Sequence, residues 1–288
     1  MRTQELAPAK INLALDILGR RADGYHELRM VMQTVSLCDV ITVEEGGTGF
    51  TLLTGEAFSL PADKVSMEQR AAEAFFAVLG VPVPPLTVRL EKNIPAFAGL
   101  GGGSADVAAL LRCLRRLYAA GMPDEALRAI GLTVGSDVPF CVSGGTSLAE
   151  GRGERLTDLP PLPVCQIVLC KPDFGISTPE LFVLADGAVL SKRPDIAGLT
   201  AALQGGELTG VTDRLCNVFE EFLPERYREV FRIKEILLAH GALNAAMSGS
   251  GPTVYGIFES AAEAQRAAEV LKKSYQQTYV AKPVKKLV

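Results

Sequence analysis

The stretch Pro95-Ala96-Phe97-Ala98-Gly99-Leu100-Gly101-Gly102-Gly103-Ser104-Ala105 constrains this chain more than any other. Four of its glycines fall within five positions, directly ahead of an amphipathic pattern. In that pattern Val107, Leu111, Leu114 and Tyr118 form one stripe, with Arg112, Arg115 and Arg116 mostly off it, which predicts a helix over 105–118. Successive glycines let backbone N–H groups converge without Cβ interference, and the helix start adds unpaired donors of its own. Together they predict an anion site that cradles phosphates. A helix dipole supplies only about 0.3–1 kcal/mol, so convergent hydrogen bonds must carry the grip. The spacing excludes two familiar phosphate loops: Ser104 stands where GxGxxG needs its last glycine, and no Gly-Lys dipeptide exists to make a Walker A lysine. A plain turn feeding a helix is the bland alternative, but such a glycine run costs too much chain entropy for that.

Composition narrows the ligand. The 288 residues suggest one large domain or two. Lys and Arg number 29 against 33 Asp and Glu, a net charge of −4, which argues against a nucleic-acid binder. Aromatic residues are 6% of the chain and Trp is absent, so base-stacking platforms and membrane belts are not expected. No apolar run reaches the 18 or so residues of a membrane span. The N-terminus carries charge where a signal peptide needs an apolar stretch. The six cysteines form no CxxC pair and only His26 and His240 could join them, so no metal site is expected, the thiols read as reduced core residues, and the expected compartment is the cytosol. The expected assembly is a monomer or weak dimer.

Residues 9–17 alternate, with Ala9, Ile11, Leu13, Leu15 and Ile17 on one face and Lys10, Asn12 and Asp16 on the other. That period predicts a half-buried strand that sets Lys10 and Asn12 side by side on its polar face. A polar turn over 20–27 leads to a β-rich stretch reaching about Val43, and further strands are expected over 87–92, 165–171 and 251–258. Helices are expected at QRAAEAFFAVL before Gly80, over 123–131, over 224–241 from Pro224 to Gly241, and over 261–273. The segment 158–163, DLPPLP, is the best linker. Strands and helices mix without a repeating βαβα rhythm, so the class is α+β. A second small-residue cluster, Met247-Ser248-Gly249-Ser250-Gly251-Pro252-Thr253, connects a helix to a strand and would by itself need no function.

Four collinear blocks, APAKINLALDILGRRADGYHEL (7–28), PAFAGLGGGSADVAALL (95–111), GSDVPFCVSGGTSLAEGRGE (135–154) and MSGSGPTVYGIF (247–258), resemble the GHMP kinase superfamily of small-molecule kinases. The resemblance implies a two-domain fold: a nucleotide domain like ribosomal protein S5 domain 2 over 1–157, and a ferredoxin-like α/β sandwich over 158–288. KIN followed by DGYHEL resembles the branch that uses ATP and Mg²⁺ to phosphorylate the C2 hydroxyl of a cytidyl-diphosphate-linked methylerythritol, a step of isoprenoid biosynthesis. In that reading Asp137 is the general base and Lys10 the cation beside it, the 95–105 loop holds the ATP phosphates, and Ser104 offers a hydroxyl on the Mg²⁺ side. Asn12 meets the substrate polyol, Tyr25 and His26 recognise cytosine, and Phe182 supplies the opposite stacking face. Taken alone, Asp137 would read as a helix cap or Asx-turn, Lys10 as a solvated strand lysine, and Tyr25-His26 as a surface loop. In the Gly135-Ser136-Asp137-Val138-Pro139 segment, Pro139 predicts an extended Val138 and so a carboxylate on a fixed bend. One departure is visible: Ser66-Met67 stands where the family usually has Asn-Leu, which bears on how adenine is held. Alternatives are a sister kinase acting on homoserine or a mevalonate, or a nucleotide-binding regulator that has lost catalysis.

Overall fold

Two long antiparallel strands form the spine of the protein: β1 (Arg2–Arg20) and β2 (His26–Glu45) pair from Arg2 opposite Glu44 to Arg20 opposite His26. The computed structural model describes residues 1–55 and 65–287. Beyond β2, β3 (Phe50–Thr54) and the helix α1 (Met67–Leu79) lead to β4 (Leu86–Glu91). Helix α1 starts where the Ser66 hydroxyl accepts from the Gln69 N–H at 3.0 Å, and stops at Gly80, whose φ of 70° is left-handed. Its Phe75 and Phe76 are fully buried, each contributing about 1.5–3 kcal/mol. The helices α2 (Gly102–Tyr118), α3 (Asp124–Leu132) and α4 (Val138–Ser143) follow, then β5 (Thr146–Gly151) and β6 (Arg155–Asp158). On its far side β2 pairs with β4 through residues 40–45 and with β5 through residues 28–33.

The second half begins after the 158–163 stretch. It comprises β7 (Gln166–Lys171), α5 (Thr178–Gly187), α6 (Ile196–Gly205), α7 (Leu208–Thr212), β8 (Cys216–Asn217), α8 (Glu229–Ala239), β9 (Asn244–Met247), β10 (Val254–Phe258), α9 (Ala261–Lys272) and β11 (Gln277–Ala281). Four of these strands make an antiparallel sheet in the order β11-β7-β10-β9, on which α8 and α9 pack. Two segments of the second half join the first sheet. Strand β8 runs parallel to β1 beside Ala14 and Leu15, and the C-terminal tail returns to the first sheet, where the Val284 N–H donates to the Thr34 carbonyl at 2.9 Å.

Five expectations need correction. The 247–253 cluster joins two antiparallel strands, β9 and β10, and not a helix to a strand. Strand β1 is not half-exposed: residues 7–17 are buried throughout, because the second half of the chain lies over the polar face, with the Tyr255 hydroxyl donating to the Asn12 carbonyl at 2.8 Å. Helix α2 is buried all round from Ala105 to Leu114, Arg112 included. The guanidinium of Arg112 is satisfied there by the Leu6 and Cys141 carbonyls at 2.8 and 2.9 Å and by Glu5 at 3.3 Å. Val138 is helical rather than extended, since Pro139 falls in the first turn of α4, where its missing N–H costs nothing. The segment 224–241 is broken: a 3₁₀ turn (Glu225–Tyr227) precedes α8, with Arg226 drawn to Glu180 on α5 and Tyr227 packed on Phe174.

Candidate active site

Lys10 is carried by β1 at a point where the strand is irregular. Its pairing with β2 shifts register between Pro8 and Lys10 and again between Asn12 and Ala14, and such bulges re-aim side chains. The Lys10 N–H donates to the Leu100 carbonyl at 2.9 Å, tying the strand directly to the glycine loop. Gly101, with φ of 68°, is the N-cap of α2, and a Cβ there would lie 3.0 Å from Lys10 Cγ, so the lysine chain runs beneath it. The ammonium, almost wholly buried, donates to Asn12 Oδ1 at 2.8 Å and lies 3.4 Å from Asp137 Oδ2.

Asp137 occupies the N-cap of α4 with φ −82° and ψ −14°, yet its side chain makes no capping hydrogen bond. Its carboxylate is instead partly open and directed at Lys10. The helix-cap reading therefore fails on geometry: the ammonium, not the backbone, is its partner. Two residues that neighbour each other in this way, on a strand and at a helix start, can hold a proton acceptor and a fixed cation on one reacting atom.

The second small-residue cluster packs on the first. Ser248 Oγ donates to the Gly99 carbonyl at 3.0 Å and the Thr253 N–H donates to the Ala98 carbonyl at 3.3 Å. Gly99 has φ of 73°, and a Cβ on it would come within 2.1 Å of the Ser248 carbonyl oxygen. Asn217, which the sequence reading missed, holds this connection from β8, donating to the Met247 and Gly249 carbonyls, both at 2.8 Å. No motif marks it, since only the pairing of β8 with β1 brings it there.

Lys10, Asn12, Asp137 and Ser104 line a cavity of about 1020 Å³ together with Phe97, Gly99 and Gly101 of the loop. Phe97 is highly exposed with φ of 51°, while Ala98, Leu100 and Ala105 are buried and support the loop from below. Pro95, Ala96, Gly102 and Gly103 do not line the cavity. Tyr25, His26 and Phe182 line it as well. Phe182 is stacked on the His26 ring with centroids 4.6 Å apart and planes 17° apart. The Arg152 guanidinium sits 4.7 Å over the Tyr25 ring, and His26 Nε2 bonds Asp186 Oδ1 at 2.8 Å. Arg152 and Asp186 were also missed; Arg152 falls inside the 135–154 block, and Asp186 follows Phe182 by one helical turn. Ser66 spends its hydroxyl on the α1 cap.

Under the α2 start, Lys92 lies between two buried carboxylates, Asp39 and Asp106, with Asp106 at 2.6 Å. Burial, with Asp39 close by, holds the Asp106 carboxyl well above the usual carboxylate range, an effect that Lys92 only partly offsets. Its Oδ1 is buried without a hydrogen-bond partner.

Both halves of the chain match family models, GHMP kinases N terminal domain over 66–145 and GHMP kinases C terminal over 200–277. The α+β fold is thus that of a GHMP-type small-molecule kinase. A protein named 4-diphosphocytidyl-2-C-methyl-D-erythritol kinase from Clostridium acetobutylicum is 37% identical over 278 residues, covering 96% of this chain and 99% of its own. Its namesake from Caldicellulosiruptor bescii is 40% identical over 266 residues, covering 92% and 93%. A crystal structure titled 4-(cytidine 5'-diphospho)-2C-methyl-D-erythritol kinase superposes with a TM-score of 0.82 at 32% identity, covering 98% of this chain and 99% of that one. The chain belongs to the family of these kinases. Homoserine kinase from Cytophaga hutchinsonii, at 20% identity and a TM-score of 0.75 over 99% of this chain and 95% of that one, shares the fold. Among the described residues no helix is long and apolar enough to cross a membrane.

Proposed function

We propose that the protein transfers the γ-phosphoryl group of ATP to the C2 hydroxyl of 4-diphosphocytidyl-2-C-methyl-D-erythritol, a step of isoprenoid biosynthesis by the methylerythritol phosphate route. The observation that carries this is the 3.4 Å approach of Lys10 to Asp137, in the same cavity as the start of α2. The Asp137 carboxylate takes the hydroxyl proton as the oxygen attacks the γ-phosphorus, and ADP leaves. Lys10 stays protonated, offsetting charge on the transferring group. Phosphoryl transfer depends mainly on such positioning and charge stabilisation. Asn12 fixes the ammonium through its oxygen, and its amide, one hydrogen of which goes to Met30 Sδ at 3.3 Å, has the other for the polyol. The 95–105 loop meets the ATP phosphates, while Tyr25, His26 and Phe182 meet the cytosine. Because Arg152 covers one face of the Tyr25 ring, the base stacks on the other.

Among the described residues no group of three or more His, Cys, Asp or Glu side chains is placed to hold a metal ion. The residues present fit a Mg²⁺ that arrives on the nucleotide, since that ion keeps its waters and is commonly bound through substrate phosphates with few protein ligands. Ser104 and Asp137 would face it, and when bound the ion neutralises phosphate charge. The free state of all six thiols supports a reducing, cytosolic setting, and a monomer or weak dimer is the expected assembly.

Kinase assays with ATP and the cytidyl, homoserine and mevalonate acceptors test the reading. Turnover of either of the last two but not of the cytidyl substrate overturns it. Asp137→Asn is expected to fold and bind ATP yet lose about 10²–10⁴-fold in phosphoryl transfer. Near-normal activity of that variant removes Asp137 from the base role.

A further inference from the structure

Resting on the proposal that the cavity takes a cytosine ring, we infer that Asp186 is a positioning residue: it locks the His26 imidazole in its Nε2–H tautomer, and so makes this end of the cavity select cytosine over uracil. Phe182 and Asp186 lie four residues apart on α5, on one face of the helix. From there they clasp His26 twice. Phe182 covers the ring face at 4.6 Å, and Asp186 Oδ1 takes the Nε2 edge at 2.8 Å. Arg20 stands 3.5 Å from the other Asp186 oxygen, a cation that favours this orientation of the carboxylate.

An ionised carboxylate only accepts hydrogen bonds, so the hydrogen of the His26–Asp186 bond belongs to Nε2. In the neutral ring that leaves a lone pair on Nδ1. Nδ1 has no protein partner among the described residues, and His26 lines the cavity. An acceptor there suits the exocyclic amino group of cytosine, which donates. Uracil presents a carbonyl oxygen at the same position, and two lone pairs would then face each other. An imidazole free of Asp186 could exchange tautomers and accept either base; the carboxylate removes that freedom. One unmatched buried polar contact of this kind is worth about 10- to 100-fold in kcat/KM.

The test compares kcat/KM for the cytidyl substrate and its uridyl analogue in the wild type and in Asp186→Asn. The asparagine keeps the shape, but its amide can face Nε2 as donor or acceptor. The cytidyl-over-uridyl preference is expected to fall about tenfold or more, mainly through a higher KM for the cytidyl substrate, with kcat little changed. A purely structural role would slow both substrates alike and leave their ratio intact. Nitrogen-15 spectra of the free protein give a second readout, simplified because His26 and His240 are the only histidines, with His240→Gln assigning the signals. They should show the Nε2–H form of His26 in the wild type and a tautomer mixture in Asp186→Asn. An Nδ1–H form in the wild type, or an unchanged substrate ratio in the variant, overturns the inference while leaving the kinase reading intact. Failure of the wild type to use the cytidyl substrate at all would instead remove the reading on which it rests.

Discussion

Gly99→Ala puts the joint between the two glycine clusters to the test. The added Cβ would stand 2.1 Å from the Ser248 carbonyl oxygen and 2.9 Å from the Gly251 nitrogen, where ordinary contact begins near 3.4 Å. Both neighbours are backbone, so no side chain can swing aside, and one loop must retreat by about 1.3 Å. The φ of 73° adds about 1–2 kcal/mol of left-handed strain for alanine. Retreat also stretches the Ser248 Oγ to Gly99 carbonyl bond, worth about 0.5–1.5 kcal/mol. A total near 3 kcal/mol corresponds to a fall in Tm of roughly 6–12 °C for a chain of this size. The catalytic effect should exceed what stability explains. Gly249 sits beside the Lys10 ammonium on the displaced loop, and a misplacement of about 1 Å can cost about 10²-fold in rate. Thermal unfolding and steady-state kinetics read the two effects separately. A variant with kcat/KM within about threefold of the wild type and an unchanged Tm would refute the argument that contact between these loops sets the site. A lower Tm with normal kcat would confine that contact to stability.

Two further predictions concern buried charge. Because the folded state raises the Asp106 carboxyl above its unfolded value, the protonated form contributes stability that is fully present below the ordinary carboxylate range and is lost as pH climbs through the raised value of about 8. The Tm of the wild type should therefore fall more steeply from pH 5 to pH 9 than that of Asp106→Asn, which mimics the neutral acid; parallel pH profiles would contradict this. Arg112→Ala removes a buried guanidinium that satisfies the Leu6 and Cys141 carbonyls and pairs with Glu5, so a loss of about 3–5 kcal/mol is expected in urea unfolding. A loss below about 1 kcal/mol would mean that water replaces it at no cost.

What the sequence determined alone is what local backbone chemistry settles. Gly80 ends α1 as its sequence implies, because a left-handed stop acts within one turn; the Ser66 cap is equally local, but the sequence reading did not find it. The glycine run opens α2 at Gly101 for the same reason, since the φ of 68° needed there depends on that residue alone. Collinear motif blocks added the roles of Lys10 and Asp137, and the structure does bring those two side chains together.

The tertiary structure decided everything that depends on distant residues meeting. Residue spacing made Lys10 and Asn12 look half-exposed, but nothing nearby in sequence reveals that Tyr255 and the 247–251 connection cover them. The rule that a residue before proline is extended failed at Val138, because Pro139 had a helix start available to it. Asn217 and Asp186 carry no motif and matter only through where β8 and α5 come to lie, beside Leu15 and His26. Periodicity and capping report interactions within a few residues, whereas the meetings of Lys10 with Asp137 and of His26 with Asp186 are set by packing between segments far apart in sequence.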